Sequence, residues 1–156
     1  MSGQRSPVVE GGCQWGAVRY AFYAPPEKNH VCHCRMCQRA TGGLFAALAG
    51  AQRPNFAWTR GTPAEYASSN LATRCFCAAC GTPLTFAYTS PEARIYVTIG
   101  SMDDPEAGAI ERQFGVESRL SWVTFCEDVP KERTGESTAA QEFLASLQSN
   151  QDPRGA

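Results

Sequence analysis

Hydrophobic and polar positions alternate clearly between Ala17 and Tyr23, with Val18, Tyr20 and Phe22 on one side and Arg19 and Ala21 on the other. This period of two predicts a half-buried strand, ended by Pro25-Pro26. Ile95 to Ile99 repeats the period, with Ile95, Val97 and Ile99 on one face, and Leu84 to Tyr88 is a second clear strand. The apolar run Leu44 to Ala49 predicts a short buried strand. Further strands are expected over Phe56 to Thr59, Ala64 to Ser68, Ala72 to Phe76, Gln113 to Glu117 and Ser121 to Phe125. Gln38 to Gly43 reads as one helical turn. Ser137 to Leu147 reads as an amphipathic helix capped by Ser137, with Phe143, Leu144 and Leu147 on one face. The expected class is mainly β: coiled β-sheets with one or two short helices and a C-terminal helix. Residues 1–10 read as a flexible tail, 11–130 as one domain, and 131–156 as the C-terminal helix and its tail.

Composition narrows the function classes. The chain has 156 residues, 43% of them hydrophobic and 19% charged, with a formal net charge of −1. A length that suits one domain needs no metal merely to compensate for small size. The near-neutral charge argues against a surface built for phosphate backbones, so no nucleic-acid partner is expected. No run of 18 apolar residues occurs, so no membrane span is expected. The polar start of the chain lacks the apolar core of a signal peptide. This predicts a reducing, cytoplasmic setting in which eight cysteines serve metal rather than disulfides.

The cysteines fall in two clusters of the same spacing. Cys32, Cys34 and Cys37 lie within six residues, and Cys75, Cys77 and Cys80 repeat the arrangement. Three thiolates converging on Zn²⁺ leave one tetrahedral corner open, as in a catalytic site. Iron–sulfur clusters usually take four cysteines in other spacings. His33 reads as a loop histidine and Met36 as packing. Cys77 and Cys80, followed by Gly81, resemble a zinc knuckle that the distant Cys13 can complete as a structural site.

Longer motifs surround these clusters. Gly12-Cys13 with Gly16-Ala17-Val18-Arg19-Tyr20 is followed by Cys32-His33-Cys34, Cys37-Gln38-Arg39-Ala40 and Gly42. Phe76-Cys77, Cys80-Gly81-Thr82-Pro83-Leu84, Gly100-Ser101-Met102-Asp103-Asp104-Pro105, Glu117-Ser118-Arg119 and Trp122 continue the series. Over about residues 11–130 the chain resembles the glutathione-dependent formaldehyde-activating enzyme family, whose domain centromere protein V shares. The resemblance implies coiled β-sheets built round zinc, a catalytic zinc on Cys32, Cys34 and Cys37, and a structural zinc on Cys13, Cys77 and Cys80. It also implies formation of S-(hydroxymethyl)glutathione, a carbon–sulfur lyase chemistry. One departure stands out: where the family has Cys-x-Cys-Gly, this chain has Cys13-Gln14-Trp15-Gly16. Cys75, Cys126 or no residue at all then stands as the fourth ligand of the second site.

The expected function is a zinc-dependent lyase taking a small-molecule thiol such as glutathione and a small aldehyde. Arg35, Arg39 and Arg119 are candidates to receive the thiol's carboxylates. The alternative is a non-enzymatic zinc-structured module that binds a protein partner or chromatin.

Overall fold

The computed structural model describes residues 5–125 and 127–148. The chain builds two sheets. β1 (Val9–Gly12), β2 (Arg19–Phe22) and β5 (Phe56–Arg60) form a three-stranded sheet in the order β1-β2-β5. The second sheet contains β3 (Glu27–Cys32), β4 (Ala46–Ala51), β6 (Ala64–Ser69), β7 (Ala72–Phe76), β8 (Pro83–Tyr88), β9 (Ile95–Thr98) and β10 (Arg112–Phe114). Its order is β10-β3-β4-β9-β8-β7-β6, antiparallel except where β10 runs parallel to β3. Helix α1 (Arg35–Thr41) follows β3, and helix α2 (Thr138–Ser146) comes last.

Alternation along β4 and β9 gives the seven-stranded sheet two working faces. Ala49, Ala51, Ile95 and Val97 join Val9, Tyr20 and Phe22 of the smaller sheet in one buried core. Ala46 and Leu48, one position out of phase, pack with Cys37, against which Cys32, Cys34 and Tyr96 lie. Residues directly opposite on paired strands project from the same side. The pairings Cys32↔Ala46, Phe86↔Tyr96 and Arg74↔Phe86 therefore place the first cysteine cluster, two aromatic rings and one arginine on a common outer face. Tyr20 closes the core from the other side; its buried hydroxyl meets Ser101 Oγ at 2.9 Å, the partner a buried phenol needs.

Most expected strands are present within a residue or two of their predicted bounds. β1 takes in Val9 and Glu10, so the ordered chain reaches into the stretch expected as tail. Ser121 to Phe125 is not a strand: Val123 N–H closes a turn onto Leu120 O at 3.0 Å, and the Phe125 ring turns onto Phe45 at 4.4 Å. β3 was not expected, because Asn29 and His30 are polar. Both are buried in it, His30 edge-on to Tyr96 and Phe114 at 5.0 and 4.9 Å.

The C-terminal helix forms where its pattern places it. Ser137 Oγ accepts from Ala140 N–H at 3.1 Å, the N-cap bond that the sequence predicts. Phe143 meets the Tyr88 ring at 5.1 Å. Asn70, in the β6–β7 turn, donates to Ser146 O at 2.9 Å and accepts from Gln148 N–H at 2.6 Å.

Candidate metal centre

Cys32 is the last residue of β3, and Cys34 caps the first turn of α1. Cys37 N–H donates to Cys34 Sγ at 3.4 Å, which folds the six-residue segment back on itself. The sulfurs of Cys32, Cys34 and Cys37 lie within 4.8 Å of one another, and those of Cys32 and Cys34 are 3.4 Å apart. Cys37 is held well below the usual thiol range by hydrogen bonds from Cys32 and Cys34, then by Arg74. Cys32 is pushed well above it, first by its bonds to those same two sulfurs. At Cys34 the bond from Cys32 lowers the value, but Cys37 and burial outweigh it and bring the thiol to about 11. Like charges this close oppose joint ionisation, so all three become thiolates only around a cation. The donor set, soft and three-fold, fits zinc.

Arg74, absent from the sequence candidates, is the residue that the strand order brings to the cluster. From the outer face of β7, its Nη2 donates to Cys37 Sγ at 3.3 Å and its Nε to Ser68 Oγ at 3.1 Å, with the guanidinium 4.8 Å above the Phe86 ring. Its signal was weak but present: a charge in phase with Ala72 along an otherwise ordinary strand. Arg74 also lines a cleft of about 600 Å³ together with Arg39, Thr41, Leu48, Tyr66 and Phe86. Of the three arginines expected from sequence, only Arg39 reaches this cleft. Arg119 pairs with Glu127 at 2.9 Å, and Arg35 bonds Gln38.

His33 is a loop residue as expected, between the end of β3 and the start of α1, but not an exposed one. It is fully buried, and its Nε2 donates to Gln113 Oε1 at 2.9 Å, which ties β10 to the end of β3. Among the described residues, its buried Nδ1 has no hydrogen-bond partner. Burial holds the ring below its ordinary pKa.

The second cluster joins the two sheets. Cys13 directly follows β1, Cys77 directly follows β7, and Cys80 lies in the turn beyond. Their three sulfurs also lie within 4.8 Å of one another. Val18 N–H donates to Cys13 Sγ at 3.4 Å, and the Cys80 sulfur and Thr82 hydroxyl are 3.2 Å apart. The Thr82 hydroxyl is the main cause that brings Cys80 down to about 6. Cys75 does not join this group. The register of β7 against β8 shifts between Cys75 and Phe76, and the strand ends at Phe76, so the same-side rule for residues two apart stops short of Cys77. Cys75 instead lies opposite Thr85 of β8, and burial raises its thiol. Cys126 lies outside the described residues.

Comparisons with known proteins bear on both clusters. A family model described as glutathione-dependent formaldehyde-activating enzyme matches residues 8–118. A Schizosaccharomyces pombe protein named an uncharacterized lyase is 36% identical over 84 residues, 54% of this chain and 61% of that protein's length. A crystal structure of a Rhodobacter sphaeroides protein is similar at 20% identity with a TM-score of 0.46, over 79% of this chain and 99% of that one. Among the described residues no helix is long and apolar enough to cross a membrane.

Proposed function

The chain belongs to the glutathione-dependent formaldehyde-activating enzyme family, and on that premise we propose that it is a zinc-dependent carbon–sulfur lyase. Its substrate is the adduct of a carboxylate-bearing thiol and a small aldehyde, such as S-(hydroxymethyl)glutathione. The observation that carries this reading is at Cys37: one thiol of a three-sulfur cluster is hydrogen-bonded to Arg74, which also lines the adjoining cleft of about 600 Å³. The fission-yeast relative's name, a lyase, agrees in class.

Cys32, Cys34 and Cys37 would hold the zinc, which would supply a Lewis acid able to lower the pKa of a substrate thiol. The chain's own residues do the rest. Cys32 and Cys34 fix the centre to the junction of β3 and α1. Arg74 offsets part of the negative charge that three thiolates bring. Arg39 and Arg74 present guanidinium groups to the cleft, where each can pair bidentately with a carboxylate of the thiol. In the synthetic direction the sulfur bonds to the aldehyde carbon, the carbonyl π pair moves to oxygen, and the proton lost by the thiol ends on that oxygen. Cleavage of the adduct is the reverse.

The test pairs metal analysis of the purified protein with exchange spectroscopy on glutathione and formaldehyde. Zinc should be present, and hydroxymethyl exchange should exceed the spontaneous rate and return to it in Cys34→Ala. Equal rates with and without the native protein would exclude catalysis of this reaction.

A further inference from the structure

The second cluster is approached by two turns of similar construction. Gly81 N–H donates to Cys77 O at 2.8 Å, and Gly16 N–H donates to Cys13 O at 2.9 Å. Both glycines are left-handed, at φ +77° and +79°, a conformation that side-chain-bearing residues rarely adopt. In the first turn the residue before the glycine is Cys80, a sulfur of the cluster. In the second it is Trp15. The backbone of Trp15 lies close enough to influence the thiols of both Cys13 and Cys80, yet its side chain is 71% exposed. Residue 15 therefore has its backbone at the cluster and its indole outside it. Among the described residues, three sulfurs gather here and no histidine, carboxylate or fourth thiol joins them.

The geometry of the three sulfurs is nonetheless that of a metal site: they lie within 4.8 Å of one another. Val18 N–H donates to Cys13 Sγ at 3.4 Å, and the Cys80 sulfur and Thr82 hydroxyl are 3.2 Å apart. Three sulfurs gathered this closely from the ends of strands in two sheets are more than a packing accident of small apolar residues. We propose that Cys13, Cys77 and Cys80 hold a soft divalent cation on three thiolates, with a fourth corner left open to a small exogenous ligand such as a thiol or imidazole. Four protein ligands would close the site, whereas three leave one exchangeable position. The cross-link between the two sheets is then an exchangeable one, and its cation can be reached without unfolding.

Full-length protein loaded with Zn²⁺ is expected to hold two zinc ions per chain. Outer-shell partners alone change metal affinity about 10–100-fold, so a new ligand in Trp15→Cys should slow release of one zinc to a chelator by more than about tenfold. Trp15→Phe should release both zincs as the native protein does. In Cys34→Ala, which disables the first cluster, imidazole should shift the visible bands of the cobalt ion that remains. This arm needs no folded Trp15→Cys. One zinc per native chain, no imidazole response in cobalt-loaded Cys34→Ala, or loss of this zinc in Cys126→Ser would each overturn the proposal.

Discussion

Arg74 Nη2 lies 3.3 Å from Cys37 Sγ, across 37 residues of sequence. Pairing of β7 with β8, of β8 with β9 and of β9 with β4 brings the two together on one face. Hydrogen bonds to charged groups contribute about 1.5–3 kcal/mol. Arg74→Gln should therefore lower kcat/KM for glutathione roughly 10–100-fold. A thiol without carboxylates separates the two roles of Arg74. If it acts through Cys37, the loss persists with that thiol and the thiolate-to-cobalt absorption also shifts. If it acts on substrate carboxylate, the loss appears in KM for glutathione alone. No change in either measurement would leave Arg74 a packing residue above Phe86.

The two clusters should fail differently. Cys34→Ala is expected to remove one zinc and all lyase activity with little change in melting temperature, because Cys34 lies outside the main core. Cys77 is 1% exposed within that core and sits where the two sheets meet. Cys77→Ala should lower stability by at least about 1 kcal/mol, or roughly 2–4 °C in a chain of this size. Circular dichroism melts of both zinc-loaded variants would decide. Unfolding of Cys34→Ala with an unchanged Cys77→Ala would reverse the assignment.

What was legible in the sequence follows from what is local. Cys32, Cys34 and Cys37 could be read because their spacing alone brings the sulfurs together, and the same holds for the pair Cys77 and Cys80. β2, β8 and β9 could be read because each keeps one apolar face. β3 could not, since the residues it buries include Asn29 and His30, and only their neighbours in the sheet make that burial possible. The same holds for His33, whose partner Gln113 is 80 residues away. Cys75 was misplaced by assuming regular strand geometry through the register shift at Cys75/Phe76. Arg74 needed the strand order itself, which the local pattern does not carry.

The pair Arg19–Asp103 supplies a pH dependence. Arg19 Nη1 donates to Asp103 Oδ1 at 2.8 Å, and Nη2 bonds Oδ2, joining β2 to the segment after β9. The guanidinium holds the Asp103 carboxyl below its ordinary value of 3.8. A depressed folded pKa means stability that is present above the unfolded value and lost as pH falls through the folded one. Asp103 is half exposed, so the contribution should stay under about 1 kcal/mol. Melting temperature should fall as pH drops below about 4, and less steeply in Asp103→Asn. Parallel curves for the two proteins would show that the pair contributes nothing.

Asn70 is expected to fasten α2 to the sheet. Its side chain both donates to Ser146 O and accepts from Gln148 N–H, while its own N–H donates to Gln148 O at 3.0 Å. No residue of α2 is buried, and its described apolar contact to the outer face is Phe143 against Tyr88. An isolated helix this short is marginal in water, so these few ties and the Ser137 cap should decide whether it persists. Asn70→Ala removes two side-chain hydrogen bonds worth about 0.5–1.5 kcal/mol each. Amide exchange across Thr138–Ser146 should then quicken by roughly tenfold or more while β4 and β9 keep their protection. Ser137→Ala should act in the same direction, at a cost of about 1 kcal/mol. If α2 exchanges at the native rate in Asn70→Ala, the Phe143–Tyr88 contact holds the helix without the asparagine. Phe143→Ala should then release it, leaving the strands protected.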